Sequence, residues 1–358
     1  MRRSATGRRK LVASLAFAGL ALVGCGSNGS DTGTDPGGQA APSSAAPASD
    51  VKVGLAYDVG GRGDRSFNDS AAAGLDKAVA ELGVTKQELS PNASGSDRGD
   101  NLRKLAEGGF NPVIAVGFAY AADLKEVAAD FADTTFFIID DSSVQAPNVK
   151  SLVFAEEQGS FLVGAAAGLK STTGNVGFIG GVETPLLKKF EAGFVAGAKQ
   201  VKPQVKTQVK YLSQPPDFSG FGAPDKGREA ANGMYDAGAD VIYAAAGGSG
   251  LGVFQAAAAK GKLAIGVDSD QYESIGASEP DLQPVILTSM IKRVDVAVFD
   301  ALSAFAEGEE LEAVTTYDLE KDGVGYATSG GQLDDITDQL EELKQQIIDG
   351  EIEVPSEP

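Results

Sequence analysis

The chain has 358 residues, with 30 Lys and Arg against 50 Asp and Glu, a formal net charge of −20 at pH 7. A field of that sign repels nucleic acid and anionic headgroups, so no nucleic-acid partner is expected. With no His and a single Cys, Cys25, the chain cannot build Ser-His-Asp or Cys-His nucleophilic sites, His-ligated zinc or an internal disulfide.

The N-terminus carries targeting information. Arg2, Arg3, Arg8, Arg9 and Lys10 precede an apolar run from Leu11 to Val23, which ends in Leu22-Val23-Gly24-Cys25. The run is shorter than the roughly 20 residues that span a bilayer as a helix. A basic flank, an apolar stretch and small residues before a cut form the pattern of a signal peptide with a lipobox. Residues 1–24 are therefore expected to be removed, leaving Cys25 as the lipidation site; a buried cysteine ending an apolar segment is the competing reading. Lasting attachment takes about two acyl chains. Arg8-Arg9 leaves both the general and the twin-arginine export routes open. Loss of the leader removes five positive charges and no negative ones, leaving −25 on the mature chain, which suits solubility at a cell surface.

Residues 25–50 read as a lipid-anchored flexible linker. From Gly26 to Asp50 no apolar residue is larger than Ala, so the segment cannot bury a core. A coil of this length reaches roughly 25 to 30 Å, enough to hold a domain clear of a membrane.

From Val51 onward the pattern alternates short β-rich runs with amphipathic helices. Strands are expected at 51–57, 112–116, 135–139, 151–155, 176–179, 206–211, 241–245, 263–267 and 285–289. Helices are expected at 69–82, 160–169, 186–201 and 294–307, among others. A last helix, with Leu333, Ile336, Leu340, Leu343 and Ile347 on one face, stops at Gly350 and is read as packing. The alternation predicts an α/β fold with parallel sheets covered by helices on both faces. The span exceeds the size at which one core keeps growing, so two lobes are expected. They are placed at 51–155 plus 270–314 and at 156–269 plus 315–358.

In such sheets ligands sit beyond the carboxyl ends of the strands. The first strand is followed by Asp58-Val59-Gly60-Gly61-Arg62-Gly63-Asp64-Arg65-Ser66-Phe67-Asn68. The glycines allow close backbone approach and Phe67 offers a ring face, although Asn68 as a helix cap and Phe67 as core are equally consistent with composition. A glycine loop, Gly247-Gly248-Ser249-Gly250-Leu251-Gly252, opens a helix whose free N–H groups suit an anionic or hydroxyl-rich ligand. Val253 stands where a dinucleotide fingerprint needs its last glycine, and no phosphate-loop motif occurs, so nucleotide-dependent chemistry and a cofactor are not expected. Asp268 and Lys292 fall at or just after later strands. Carboxylates there can accept hydrogen bonds from sugar hydroxyls, or serve as the acid and base of a glycosidase.

Taken together these segments resemble the basic membrane lipoprotein family, the PnrA-like nucleoside receptors of ABC importers. The carriers are DVGGRGDRSFN (58–68), SLVFAEEQGSFLVGAAAGLK (151–170), VGFIGGVETPLLKKFEAGFVAG (176–197), GADVIYAAAGGSGLGVF (238–254), AIGVDSDQ (264–271) and TSMIKRV (288–294). The resemblance implies a type I periplasmic-binding-protein fold, two Rossmann-like lobes with parallel sheets joined by three crossovers. It implies a nucleoside, a purine in the first place, held between the lobes and handed to an ABC permease and its ATPase by a monomeric, membrane-anchored protein on the extracytoplasmic face. No catalysis, metal or cofactor is implied.

Carried over residue by residue, the resemblance implies ligand contacts at Asp58, Phe67 and Asn68, and at Phe190, with Phe194 as rival. It also implies contacts at Phe221, at Gly248, Gly250 and Gly252, and at Asp268 and Lys292. The family's Gly-Phe-x-x-x-Asp-Ala pattern is displaced by one residue in Gly117-Phe118-Ala119-Tyr120-Ala121-Ala122-Asp123, about a 100° rotation on a helix. Asp123 is the expected contact, with Asp140 and Asp141 as alternatives. A surface receptor that senses the same ligand, and a carboxylate-based nucleoside hydrolase, are the other functions left open.

Overall fold

The computed structural model describes residues 49–358; Cys25, the leader and nearly all of the linker lie outside the described residues. In chain order the first part runs β1 (Lys52–Ala56), α1 (Phe67–Leu82), β2 (Thr85–Leu89), α2 (Arg98–Glu107), β3 (Val113–Ala115), α3 (Ala121–Asp130), β4 (Phe136–Ile139) and β5 (Val149–Phe154). The middle runs α4 (Glu156–Lys170), β6 (Asn175–Val182), α5 (Pro185–Val201), β7 (Lys206–Ser213), α6 (Pro224–Asp236), β8 (Val241–Ala245), α7 (Gly250–Lys260), β9 (Leu263–Asp268), α8 (Gln271–Gly276) and β10 (Ile286–Lys292). The chain closes with α9 (Val294–Glu307), β11 (Val314–Tyr317), β12 (Val324–Tyr326) and α10 (Thr337–Ile348).

The strands form two six-stranded sheets, ordered β11-β5-β4-β3-β1-β2 and β12-β10-β9-β8-β6-β7. The second order repeats the first, so β4 and β9 occupy equivalent places in their lobes. Central strands such as Phe136–Ile139 and Val241–Ala245 are buried along their whole length, as expected where helices cover both faces of a parallel sheet. The edge strands β2 (TKQEL) and β7 (KTQVKYLS) are polar and partly exposed, which discourages pairing with a second chain.

Three crossovers join the lobes: at Ala155 between β5 and α4, at Arg293 between β10 and α9, and between β11 and β12. This differs from the expected boundaries. Residues 286–292 belong to the second sheet, where β10 pairs with β9, and β11, most of it expected in the second lobe, pairs with β5 in the first. Val285–Ser289 was identified as a strand, but strand character alone does not say which sheet it joins. The sheets also depart from a uniformly parallel pattern, because β12 runs antiparallel to β10.

Helix ends follow local chemistry. α1 and α9 stop at Gly83 and Gly308, both left-handed, the conformation that glycine adopts without steric cost. Leu333, Ile336, Leu340, Leu343 and Ile347 are all buried, although only the last three lie within α10; the first two precede it. Helices α4 and α5 pack backbone to backbone. A Cβ on Gly197 would stand 1.9 Å from the Phe161 carbonyl oxygen.

Candidate ligand-binding cleft

The carboxyl ends of both sheets open onto one cleft lined by residues of both lobes. Asp58, Phe67 and Asn68 line it from the first lobe, and Phe190, Phe221, Asp268 and Lys292 from the second. Both helix-borne and strand-end positions thus converge, although they are spread over more than 230 residues of sequence.

Lys292, at the end of β10, is the electrostatic centre. Its side chain is 2% exposed and donates to Asp140 Oδ2 at 2.6 Å, with Glu156 Oε1 at 3.5 Å. The rings of Phe67, Phe154 and Phe190 lie 5.0, 4.9 and 5.6 Å from Nζ, within cation–π range. Burial pulls the ammonium down, but the charges of Asp140, Glu156 and Asp268 outweigh it and hold it above its ordinary value. Burial raises the Asp140 carboxyl to about 6 against the pull of Lys292. Asp140 Oδ1 is buried with no hydrogen-bond partner. A desolvated carboxylate oxygen in that state is an acceptor waiting for a donor.

Asp140 follows β4 as Asp268 ends β9, and both adopt left-handed backbone, φ 68° and 66°. The equivalent strand ends therefore turn carboxylates into the cleft from opposite lobes. Burial raises Asp268 as well, opposed by Lys292 and by Ser66 Oγ, which donates to Oδ2 at 2.6 Å. That bond crosses between lobes. Ser269 Oγ donates to Ser66 O and Gln271 Nε2 to Arg65 O, both across the same seam.

Asp58 accepts from its neighbour Val59 N at 2.7 Å and from Arg98 Nη2 at 3.1 Å. Desolvation lifts its carboxyl, and Arg98 opposes the lift. Asn68 serves the loop's architecture: its Oδ1 accepts from Asp58 N, and its Nδ2 donates to Asp64. Asp64 in turn accepts from the backbone N–H groups of Ser66, Asn68 and Asp69, capping α1. Burial raises its carboxyl to about 6.

Several expectations are corrected. Asp123 does not line the cleft; it lies against Gly99 of α2, because a short 3₁₀ turn, Phe118–Tyr120, precedes α3 and the displaced carboxylate starts on the outer side. Asp140, one of the two alternatives to Asp123, lines the cleft instead, and Asp141 is absent from that lining. Between the rival rings, Phe190 faces the cleft, while Phe194 packs against Phe178 and Tyr243 in the core.

Of the glycine loop, only Gly247 lines the cleft. Gly248 borders an outer groove, and Gly250 is buried beside Ala244 of β8. A Cβ on Gly252 would meet Pro224 O at 1.8 Å, so this glycine permits α6 and α7 to pack. Gly252→Ala is expected to lower the unfolding midpoint by several degrees while leaving ligand affinity of the folded fraction unchanged, as thermal unfolding and calorimetry on the same sample would read.

Sequence reasoning missed Phe118 and Asp64. Phe118 follows β3 as Gly247 follows β8, and its ring meets Phe221 edge-on at 6.5 Å across the cleft. Its position after a strand was the available signal. Arg98, 40 residues from Asp58, had none.

The Bmp family model, described as ABC transporter substrate-binding protein PnrA-like, matches residues 51–358. The chain belongs to this family. PnrA-like proteins are substrate-binding components of ABC transporters rather than enzymes. The "CD4+ T-cell-stimulating antigen" of Listeria innocua is 36% identical, covering 95% of this chain and 96% of that protein. The "ABC transporter nucleoside-binding protein BmpA" of Lactococcus lactis is 31% identical over 96% and 98%. Among solved structures, an ABC transporter solute-binding protein of Aeropyrum pernix superposes with a TM-score of 0.74 at 29% identity, covering 86% of this chain and 93% of that one. The two lobes and three crossovers are the type I periplasmic-binding fold.

Proposed function

We propose that this PnrA-like protein captures a nucleoside, in the first place a purine nucleoside, between its lobes and delivers it to an ABC permease with its ATPase. The observation that carries the reading is the pairing of ring faces and acceptors in one cleft. Phe67 stands on one lobe and Phe190 and Phe221 on the other, with Asp58, Asp268 and the unpartnered Oδ1 of Asp140 beside them. Rings from two sides favour a flat heterocycle, and each base stack is worth about 1 to 3 kcal/mol. Carboxylates accept from ribose hydroxyls, and an acidic cleft disfavours a phosphorylated ligand. The BmpA relative's name points the same way.

Contacts made from both lobes exist only when the lobes are closed, so ligand selects that state; no bond is made or broken. Several relatives are named lipoproteins, which supports attachment through Cys25 on the extracytoplasmic face. A monomer suffices for this mechanism.

Mass spectrometry of small molecules released by denaturing the purified protein should find a nucleoside. Calorimetry should then rank inosine, guanosine and adenosine above arabinose. Phe67→Ala is expected to lose at least about tenfold in affinity, 1.4 kcal/mol, with folding intact. Tighter binding of a free sugar or amino acid, or an unaltered Phe67→Ala isotherm, would remove the reading.

A further inference from the structure

Glu156 is absent from the lining of that cleft and its side chain is only 1% exposed, although it borders the adjoining pocket that shares Phe118, Asp140 and Leu186 with the cleft. It stands one residue beyond the first crossover, in the first turn of α4. A buried carboxylate is costly unless it is paired. Glu156 has two ammonium partners: Oε1 lies 3.5 Å from Lys292 Nζ and Oε2 3.2 Å from Lys189 Nζ. Lys189, on α5, is about one-third exposed and also donates to Phe154 O. The helix dipole alone would favour an acid here, but it would not require a carboxylate bridging two lysines from different elements.

We infer that Glu156 is a positioning residue for the cleft: by sharing the Lys292 ammonium with Asp140, it keeps Lys292 on Oδ2 and leaves Oδ1 of Asp140 for the ligand. The inference rests on the nucleoside reading for the ligand, but not for the charge cluster. With Glu156 absent, Asp140 is the one carboxylate left within 4 Å of the Lys292 ammonium among the described residues, Asp268 acting from farther away, and the ammonium is free to straddle both oxygens.

Four charged groups from other elements act on Asp140. Lys292 comes from β10, Glu156 from α4, Lys189 from α5 and Asp268 from the end of β9. The neighbouring Asp141 is turned to Ser143. Glu156 pushes the Asp140 carboxyl up and Lys189 draws it down. Neutralising the two in turn must therefore move Asp140 in opposite directions, which loss of packing alone would not do.

The test uses the whole protein with inosine as probe. Glu156→Gln should lower affinity about tenfold near pH 7.5 and shift the acid limb of the affinity profile to lower pH. Lys189→Met, at a partly exposed site, should shift that limb to higher pH and change affinity near pH 7.5 by less than about threefold. Carbon-13 NMR titration of the Asp140 carboxyl in ligand-free protein should show the same opposed shifts without needing any nucleoside. Opposed shifts combined with no nucleoside binding by the unaltered protein would support the charge cluster and overturn the ligand reading. A stationary Asp140 midpoint, or shifts of the same sign in both variants, would overturn the inference.

Discussion

Replacing Lys292 with Met should destabilise the folded protein by about 3 to 5 kcal/mol near pH 7.5. The substitution keeps much of the side-chain volume among Phe67, Phe154 and Phe190 but strands the carboxylates of Asp140, Glu156 and Asp268, all at or near full burial, without their shared cation. The Coulomb attraction of that cation is what holds Asp140 near 6 and restrains Asp268. Without it both carboxyls rise further above their unfolded values. A carboxyl raised in the folded state contributes stability at acid pH that is lost as pH rises through its folded value. The penalty should therefore be largest at neutral and alkaline pH and shrink as pH falls below about 6. Urea unfolding of both proteins at about pH 7.5 and pH 5 measures it. An equal penalty at the two pH values would mean that lost packing, not uncompensated charge, is what the substitution removes.

Gly197→Val should unfold a large share of the protein. The helix pair that carries Glu156, Lys189 and Phe190 closes on four glycines, with ideal Cβ positions 2.2 Å from Phe194 O for Gly164, 2.9 Å from Ala198 O for Gly168, 2.1 Å from Glu157 O for Gly193 and 1.9 Å from Phe161 O for Gly197. Real Cβ contacts essentially never fall under 3.0 Å, and the obstructing atoms are backbone, which cannot rotate away. The helices would have to separate along their length, opening a gap in a close-packed interior. A loss of about 3 kcal/mol or more is expected, with Gly197→Ala milder. Gly233, on α6 with nothing within 4 Å of its Cβ position, is the contrast: Gly233→Ala should be neutral or stabilising by about 0.5 to 1 kcal/mol. Differential scanning calorimetry of the three variants decides this, and a Gly197→Val midpoint within about 2 °C of the unaltered protein would contradict it.

Local pattern was a good guide where it ran long. Val241–Ala245 and Val294–Glu307 occur with the expected bounds, since continuous burial and helical periodicity leave their marks on consecutive residues. β2, β11 and β12 were not expected: TKQEL has one apolar residue, and VTTY and VGY are too short for alternation to register, whereas Val209, Tyr211 and Leu212 marked the polar edge strand β7. Strand ends also pointed to the cleft, and Asp58, Phe67, Asn68, Phe190, Phe221, Asp268 and Lys292 meet there.

By itself the sequence determined the excluded chemistries, the alternation of strands and helices, and the loops in which a ligand could be met, all of which depend on residue type and short-range spacing. Only the tertiary structure decided that Asp140 rather than Asp123 faces the cleft, that Gly252 packs helices, that β10 and β11 sit in opposite lobes from those expected, and that Arg98 backs Asp58. Those outcomes depend on the rotation of one helix turn and on which sheet a strand joins, and both are set by contacts between residues far apart in the chain.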